Sequence, residues 1–115
     1  MGVVSIEVPI PQLFDEIDEW GFGYLLTVSD GERPHLLALR PVASGNGDER
    51  VLRFDAGGGR ACRNAAVRPS VTIVFPPNPT SEGMSLVVDG DATVDGAHVD
   101  VRPTWAVLHR AAPAA

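Results

Sequence analysis

From Phe22 onward, short apolar stretches alternate with turn residues, and this pattern constrains the fold more than any other feature of the chain. Phe22–Ser29 and Pro34–Val42 have period-two patterns, and the Asp30–Arg33 segment between them is a tight hairpin signal. The other predicted strands are Val51–Phe54, Val71–Phe75, Met84–Val94, and a last strand that starts at Val99, breaks at Pro103 and resumes over Trp105–His109. Strands at this spacing predict a mainly β fold, a small closed or half-open barrel of six or seven strands.

Three of these strands have features that bear on the fold or on a site. Val71–Phe75 is apolar on both faces, so we expect a central strand covered on both sides. Asp89-Gly90-Asp91 predicts a bulge or bend within the long Met84–Val94 strand. In Pro34–Val42, His35 shares a face with two leucines. Arg40 follows a mainly apolar face, so it either emerges at the strand end or meets an anion.

Two helices are predicted, at Ile10–Trp20 and at Arg60–Arg68. Pro11 suits the first turn of the earlier helix, and Gly21 suits its end. The residues predicted to form its apolar stripe are Ile10, Leu13, Phe14, Ile17 and Trp20. The acids on its other side are interpreted as a solvated face rather than as a metal or catalytic cluster.

The stretch between Phe54 and the second helix is the strongest candidate for a site. Three glycines, Gly57 to Gly59, come directly before Arg60, so backbone N–H groups are left uncovered at a helix start. Arg60 and Arg63 are unfavourable at this positive end unless an anion lies among them, which indicates a phosphate site. The alternative is a glycine-rich turn whose arginines face water or pair with acids such as Asp55. The stretch fits neither the Walker pattern nor GxGxxG.

Composition excludes several classes of function. A chain of 115 residues predicts one domain over 1–115. A net charge of −6 argues against nucleic-acid and anionic-membrane partners, and the absence of lysine excludes Schiff-base chemistry on a lysine. Cys62 is expected to be a half-buried packing residue, and the three widely spaced histidines predict no metal site. Without a long apolar run or a signal-peptide pattern, the chain is expected to be cytoplasmic.

Several stretches resemble the pyridoxamine 5′-phosphate oxidase-like, flavin-binding split-barrel family. They are GYLLTVSDGERPHLLALRPV, VLRFDAGGGRACRNAAVRPSVTIVFPP and MSLVVDGDATV, and the resemblance extends from about Tyr24 to Pro113. NAAVRPSVTIVFPP and PTWAVLHRAAP are similar to short actinobacterial members. The most specific element is Arg60-x-x-x-Asn64 followed by Arg68-Pro69 and an apolar strand.

The resemblance implies a split β-barrel that forms a homodimer, with flavin sites in clefts between the subunits. It implies that the FMN phosphate is held by His35 and Arg40 on the second barrel strand and by Arg60 at the strand-to-helix turn. The full set of expected cofactor-binding residues is His35, Arg40, Asp55, Gly58, Gly59, Arg60 and Arg63.

The turn departs from the FMN-binding pattern of that family. Gly59, Arg60 and Ala61 stand where a hydroxyl residue followed by Arg-Lys is usual, and Asp55 stands where Thr is frequent. An acid there repels a phosphate dianion unless it is paired, although Arg63 restores one positive charge. FMN, the deazaflavin F420 and no flavin at all therefore remain open.

Three functions compete at this point. The first is an FMN- or F420-dependent oxidoreductase acting on a small organic substrate, since such cofactors carry the redox chemistry and demand no acid–base pair. The second is a non-enzymatic module that binds a flavin, haem or another anionic ligand, and the third is a ligand-free structural dimer. No catalytic residue is identified, and Trp105 and Tyr24 are expected in the core. The substrate-binding segments of pyridoxamine phosphate oxidation are not recognisable.

Overall fold

The computed structural model describes residues 4–110 as eight β-strands, two α-helices and a 3-10 turn at Gly47–Glu49. The helices are α1 (Ile10–Trp20) and α2 (Arg60–Val67). The strands are β1 (Val4–Glu7), β2 (Gly23–Val28), β3 (Pro34–Leu39), β4 (Val42–Ser44), β5 (Val51–Asp55), β6 (Ser70–Phe75), β7 (Ser85–Asp95) and β8 (His98–Arg110). Neither helix is long and apolar enough to cross a bilayer.

All strand pairs are antiparallel, and the sheet curls until its two ends approach each other. The strand order is β3-β2-β6-β7-β8-β5-β4, and β1 pairs with β8 beside this path. The end strands β3 and β4 are joined through Arg40 and Pro41 alone, so Leu39 and Val42 lie at most about 11 Å apart. A sheet whose edges are tied this closely must close into a half-barrel, which confirms the predicted mainly β split-barrel fold with two helices.

The core fills the inside of the curled sheet. Leu25, Ile73, Val88 and Ala106 form one cross-strand row over β2, β6, β7 and β8, and all four are fully buried. The helix α1 closes part of this core with its apolar stripe, of which Leu13 and Ile17 are buried. Pro11 lies in its first turn and Gly21 ends it with φ 72°, as predicted.

Three strand predictions differ from the structure. The predicted Pro34–Val42 strand divides into β3 and β4, because Pro41 has no N–H to donate to a ladder. The break predicted at Pro103 is wrong, since β8 is continuous and Thr104 is accommodated by a register shift at Asp89/Gly90. The irregularity predicted at Asp89-Gly90-Asp91 is therefore present in the β7–β8 ladder, but the extra residue, Thr104, belongs to β8 and not to β7.

The outer face of the sheet is less covered than the sequence predicted. The expectation that β6 is covered on both sides is wrong for the single chain, because Thr72 and Val74 are only half-buried. Tyr24 and Trp105 were expected in the core, and they are 39% and 44% exposed instead. Their strands alternate as predicted, but in a one-layer sheet only the inner face has a core to pack against.

Gly90 gives a direct test of the bulge. A Cβ on this residue would lie 2.6 Å from the Arg102 carbonyl oxygen and 2.6 Å from Val101 Cγ1. We expect Gly90→Ala to lower the free energy of unfolding by about 1–3 kcal/mol, because backbone would have to move. In Gly31→Ala the nearest atom is Ser29 Oγ at 3.8 Å, and the change should stay within about 0.5 kcal/mol. Urea unfolding measures both, and equal stability of Gly90→Ala and the parent would contradict the bulge geometry.

Candidate functional site

The turn between β5 and α2 depends on glycine conformations and on one carboxylate. Gly57 and Gly58 have φ of 69° and 74°, in the left-handed region where other residues are strained. Asp55 Oδ1 accepts a hydrogen bond from Gly57 N at 3.3 Å. Gly59 caps α2 without any side-chain hydrogen bond. The carboxylate of Asp55 therefore stabilises the turn, and the first N–H groups of α2 have no side-chain cap.

A buried hydrogen bond attaches α2 to the barrel. Asn64 Nδ2 donates to Thr27 Oγ1 at 3.1 Å, and the two residues are 6% and 0% exposed. Arg60 lies one turn before Asn64, at the i, i+4 spacing that places both on one face of the helix. The bond to β2 thus turns the Arg60 face of α2 toward the β2–β3 hairpin.

Arg68, one further turn along, secures the other end of α2. Its Nε donates to the Ser29 carbonyl at 3.0 Å and its Nη2 to the Asp30 carbonyl at 3.4 Å. The helix itself ends at Val67, one residue earlier than predicted, because Arg68 is extended before Pro69. The side chains of Asn64 and Arg68 therefore hold α2 at a fixed distance from the β2–β3 hairpin. A cleft lies between the helix and the hairpin.

The first part of this cleft is a cavity of about 200 Å³ between Arg60 and the start of β3. Ser29, Arg33, Pro34 and His35 line the rest of it. The Nδ1 atom of His35 is buried and has no hydrogen-bond partner. A buried polar atom without a partner costs free energy, so this nitrogen is an unsatisfied group beside the cavity.

The second part is a cavity of about 620 Å³ along α2. Ser29 and Arg60 line both cavities, so the two are adjacent. The other lining residues of the second cavity are Asp30, Gly31, Arg63, Asn64, Ala66 and Val67.

The cleft has an excess of positive charge on a chain of net charge −6. Arg33, Arg60 and Arg63 are exposed. Within residues 4–110, the ion pairs are formed by Arg53, with Asp95 and Asp100, and none involves the three cleft arginines. Asp30 is the acid that lines the cleft. Unpaired guanidinium groups gathered in a concave site favour an anion, above all a phosphate.

The structure brings together most of the predicted site residues. His35 and Arg60 line the first cavity, Arg63 lines the second, and Asp55, Gly58 and Gly59 shape the turn between β5 and α2. Arg40 is exposed beyond the far end of β3, and five residues of extended chain place it roughly 16 Å from His35. It does not line this cleft.

Sequence reasoning missed Arg33 and the bond between Thr27 and Asn64. In the sequence, Arg33 has the pattern of a turn residue. Only the fold of the hairpin places it in the lining of the same cavity as Arg60. Thr27 is a polar residue on the apolar face of a predicted strand, and that was the available signal. Cys62 is buried, as expected for a packing residue, and donates to the Ala97 carbonyl at 3.5 Å. Among residues 4–110, no three potential metal-ligating side chains come together.

Solved structures with this architecture define the class as split β-barrels. The FAD binding protein from Mycobacterium smegmatis has a TM-score of 0.65 at 19% identity, over 92% of this chain and 98% of that one. The heme storage protein HutZ from Vibrio cholerae has a TM-score of 0.58 at 16% identity, over 84% and 91%. An F420 reductase has 0.54 at 20% identity, over 72% and 86%. These likenesses show the fold.

The sequence comparisons identify closer relatives. No protein-family model matches the chain. Uncharacterized proteins of Mycobacterium bovis and Mycobacterium tuberculosis are each 38% identical over 120 aligned positions, which cover 93% of this chain and 84% of theirs. The chain belongs to the family of these mycobacterial proteins.

The bond between Asn64 and Thr27 is testable by a double-mutant cycle. Thr27→Val keeps the shape but leaves the Asn64 amide without its acceptor, so we expect a loss of about 1–3 kcal/mol in the free energy of unfolding. Combined with Asn64→Leu, the loss should be smaller than the sum of the single losses by about 0.5–3 kcal/mol. The exposed Thr93→Val serves as control, within about 0.5 kcal/mol of the parent. Strict additivity in urea unfolding would rule out the coupling.

Proposed function

We propose that this protein binds a flavin-type cofactor, FMN or F420, and holds its phosphate in the cleft between α2 and the β2–β3 hairpin. The observation that carries the proposal is a cleft lined by Arg33, Arg60 and Arg63, none of which forms an ion pair within residues 4–110. His35, whose Nδ1 has no hydrogen-bond partner, lines the same part of the cleft as Arg33 and Arg60. Arg33, Arg60 and Arg63 would bind phosphate oxygens, and His35 would accept a hydrogen bond from a ligand hydroxyl or donate one to a phosphate oxygen.

The residues present fit a phosphate group. Guanidinium groups donate paired hydrogen bonds to phosphate oxygens, and the uncapped start of α2 adds backbone N–H donors nearby. Asp55, the acid that stands where related flavin sites often have Thr, has one carboxylate oxygen bonded to Gly57 N. This hydrogen bond to the backbone reduces the electrostatic repulsion between the Asp55 carboxylate and a bound anion.

The names of two structural neighbours agree with this ligand class, and a third names a different cofactor, heme. They include an FAD binding protein, an F420 reductase and a heme storage protein. A bound flavin would supply hydride or electron transfer, and the residues of this chain would bind it, orient it and shield it from water. The activity we propose is therefore that of an oxidoreductase with a small organic substrate.

Arg60 is the residue whose loss tests the site. We expect the parent protein to bind FMN or F420, and Arg60→Ala to weaken binding by tenfold or more, since a charge-assisted bond is worth about 1.5–3 kcal/mol. Arg102→Ala removes the same charge from an exposed site in another cavity, beside α1, and should leave affinity unchanged. Absorbance and fluorescence titration measures both.

The same titration has outcomes that contradict the proposal. A parent protein that binds neither cofactor would overturn it. Full affinity in Arg60→Ala would show that the cofactor phosphate does not bind in this cleft. Cofactor that binds but is never reduced by NAD(P)H, or by reduced substrate in the case of F420, would favour a binding module without turnover.

We further propose that the protein is a homodimer packed through the outer face of its sheet. Cross-strand pairing places side chains from β3 to β8 in two adjacent rows on this face, and all but Thr72 and Asp89, which are hydrogen-bonded to each other, are apolar or aromatic. One row is Leu36, Leu26, Thr72, Asp89 and Trp105, and the next is Ala38, Tyr24, Val74, Val87 and Val107. Leu36 is 56% exposed, and Trp105 donates to Glu7 Oε1 at 3.2 Å. A largely apolar, partly exposed face of this kind is typical of a protein–protein contact.

A charge placed in this face tests the dimer. We expect the parent chain to sediment as a dimer and Leu36→Asp to sediment as a folded monomer, because burying an unpaired carboxylate opposes association. Val42 is also exposed and apolar but lies on β4, outside the two rows, so Val42→Asp should remain dimeric. Sedimentation equilibrium distinguishes these states, and a monomeric parent at all concentrations would exclude the dimer.

A further inference from the structure

Another concave site lies at the opposite end of β6 from the cleft beside α2. Ser70, where β6 begins, follows α2, whereas Phe75, where β6 ends, packs against Trp20 with 6.5 Å between the ring centroids. Five steps of extended chain separate these two ends by about 17 Å. Trp20 lines a cavity of about 360 Å³, which shares no lining residue with the two cavities of the cleft. The two sites are therefore separate.

Much of the lining of this cavity is apolar. The apolar lining residues come from β1, the end of α1, the start of β7 and the end of β8, and they are Val4, Ile6, Trp20, Met84 and Leu108. Ile6 and Leu108 are direct cross-strand partners, so their side chains lie on the same face of the β1–β8 ladder. Met84 is buried, Trp20 is half-buried and Ile6 is 53% exposed. An apolar surface in a cavity of this size favours an apolar or aromatic ligand group.

Carboxylates surround the apolar part of the lining. Glu16 and Glu19 on α1 and Glu82 in the β6–β7 loop line the cavity together with one guanidinium, that of Arg110. The Nη1 atom of Arg110 donates to the Glu82 carbonyl at 3.3 Å. Within residues 4–110, none of these four side chains forms an ion pair. Three carboxylates and one guanidinium give the lining a formal charge of −2.

The carboxyl end of α1 adds to this negative field. The last carbonyl groups of a helix carry partial negative charge, and cations near them are stabilising. The last turn of α1 has no basic residue and contains Asp18 and Glu19 instead. The Nδ2 atom of Asn78, on the β6–β7 loop, donates to the Glu19 carbonyl at 3.4 Å, so this wall of the cavity is attached to the helix end. Carboxylates and helix carbonyls gathered at one place repel one another, and a cation among them relieves that repulsion.

We propose that this cavity binds an organic cation, an ammonium group carried by an apolar or aromatic body. The ammonium group lies between the carboxylates of Glu16 and Glu19, and the face of the Trp20 indole attracts it as well. Glu16 is half-buried, and its Oε1 accepts a hydrogen bond from Gln12 Nε2 at 3.0 Å, which holds the carboxylate in place. The apolar body packs over Met84. This site and the cleft beside α2 thus select ligands of opposite charge.

Three probes of similar shape and different charge test this preference. We expect 2-phenylethylammonium to bind at least about tenfold more tightly than neutral 2-phenylethanol, because only the cation gains charge-assisted contacts with the carboxylates. The anion 3-phenylpropanoate should not bind. The chain has two tryptophans, so an NMR titration reports the position of the ligand. The indole N–H signal of Trp20 should shift, and that of Trp105, on the outer face of the sheet, should not.

Two double variants with the same change of charge test the carboxylates. Glu16→Gln combined with Glu19→Gln removes the two α1 carboxylates that line the cavity, and it should weaken binding of 2-phenylethylammonium by about tenfold. Asp15→Asn combined with Asp18→Asn removes two exposed carboxylates of the same helix that lie outside the cavity lining. It should change the affinity by less than about twofold. Thermal unfolding measures whether both double variants remain folded.

Several results would overturn the cation site. Equal affinities for 2-phenylethylammonium and 2-phenylethanol would show that charge is not recognised. Equal losses in the two double variants would indicate a general attraction to the acidic face of α1, and an unchanged Trp20 signal would place the ligand elsewhere. Binding of none of the three probes at millimolar concentration would also exclude the site. Arg60→Ala should leave binding of 2-phenylethylammonium unchanged, which keeps this test independent of the flavin proposal.

Discussion

The site depends on one buried hydrogen bond, from Asn64 Nδ2 to Thr27 Oγ1. Helix α2 is eight residues long, and a helix of that length is not stable without tertiary packing. Ala61, Cys62 and Ala65 supply small apolar contacts, which do not strongly fix a rotation about the helix axis. A polar pair buried in the barrel does fix it, because any other rotation leaves both groups without partners.

Once that rotation is set, the positions of the charged residues follow. Arg60 is brought over the cleft, and Arg68 reaches the carbonyls of the hairpin. The glycine turn also helps to position Arg60, because the left-handed conformations of Gly57 and Gly58 lead the chain directly from β5 into α2. Arginines that share one cleft without carboxylate partners repel one another, and this is the physical reason to infer an anion in the cleft.

The outer face of the sheet shows a second consequence of the fold. A half-barrel of this length has enough apolar residues to fill its inside and to cover part of its outside. The sequence pattern of β6, apolar on both faces, predicted two covering layers, and the single chain supplies one. A second subunit is the simplest source of the other layer, which connects the pattern of β6 to the proposed dimer.

Local sequence determined the helices, strands and turns, because turns, helix ends and alternating patterns are properties of neighbouring residues. Three features were predictable in this way: the hairpin at Asp30–Arg33, the end of α1 at Gly21 and the glycine turn before Arg60. Only the tertiary structure decided that Arg33 faces Arg60, that Arg40 lies away from them, and that β8 continues through Pro103. These depend on strand register and on how the sheet curls, which arise from contacts between residues distant in the chain.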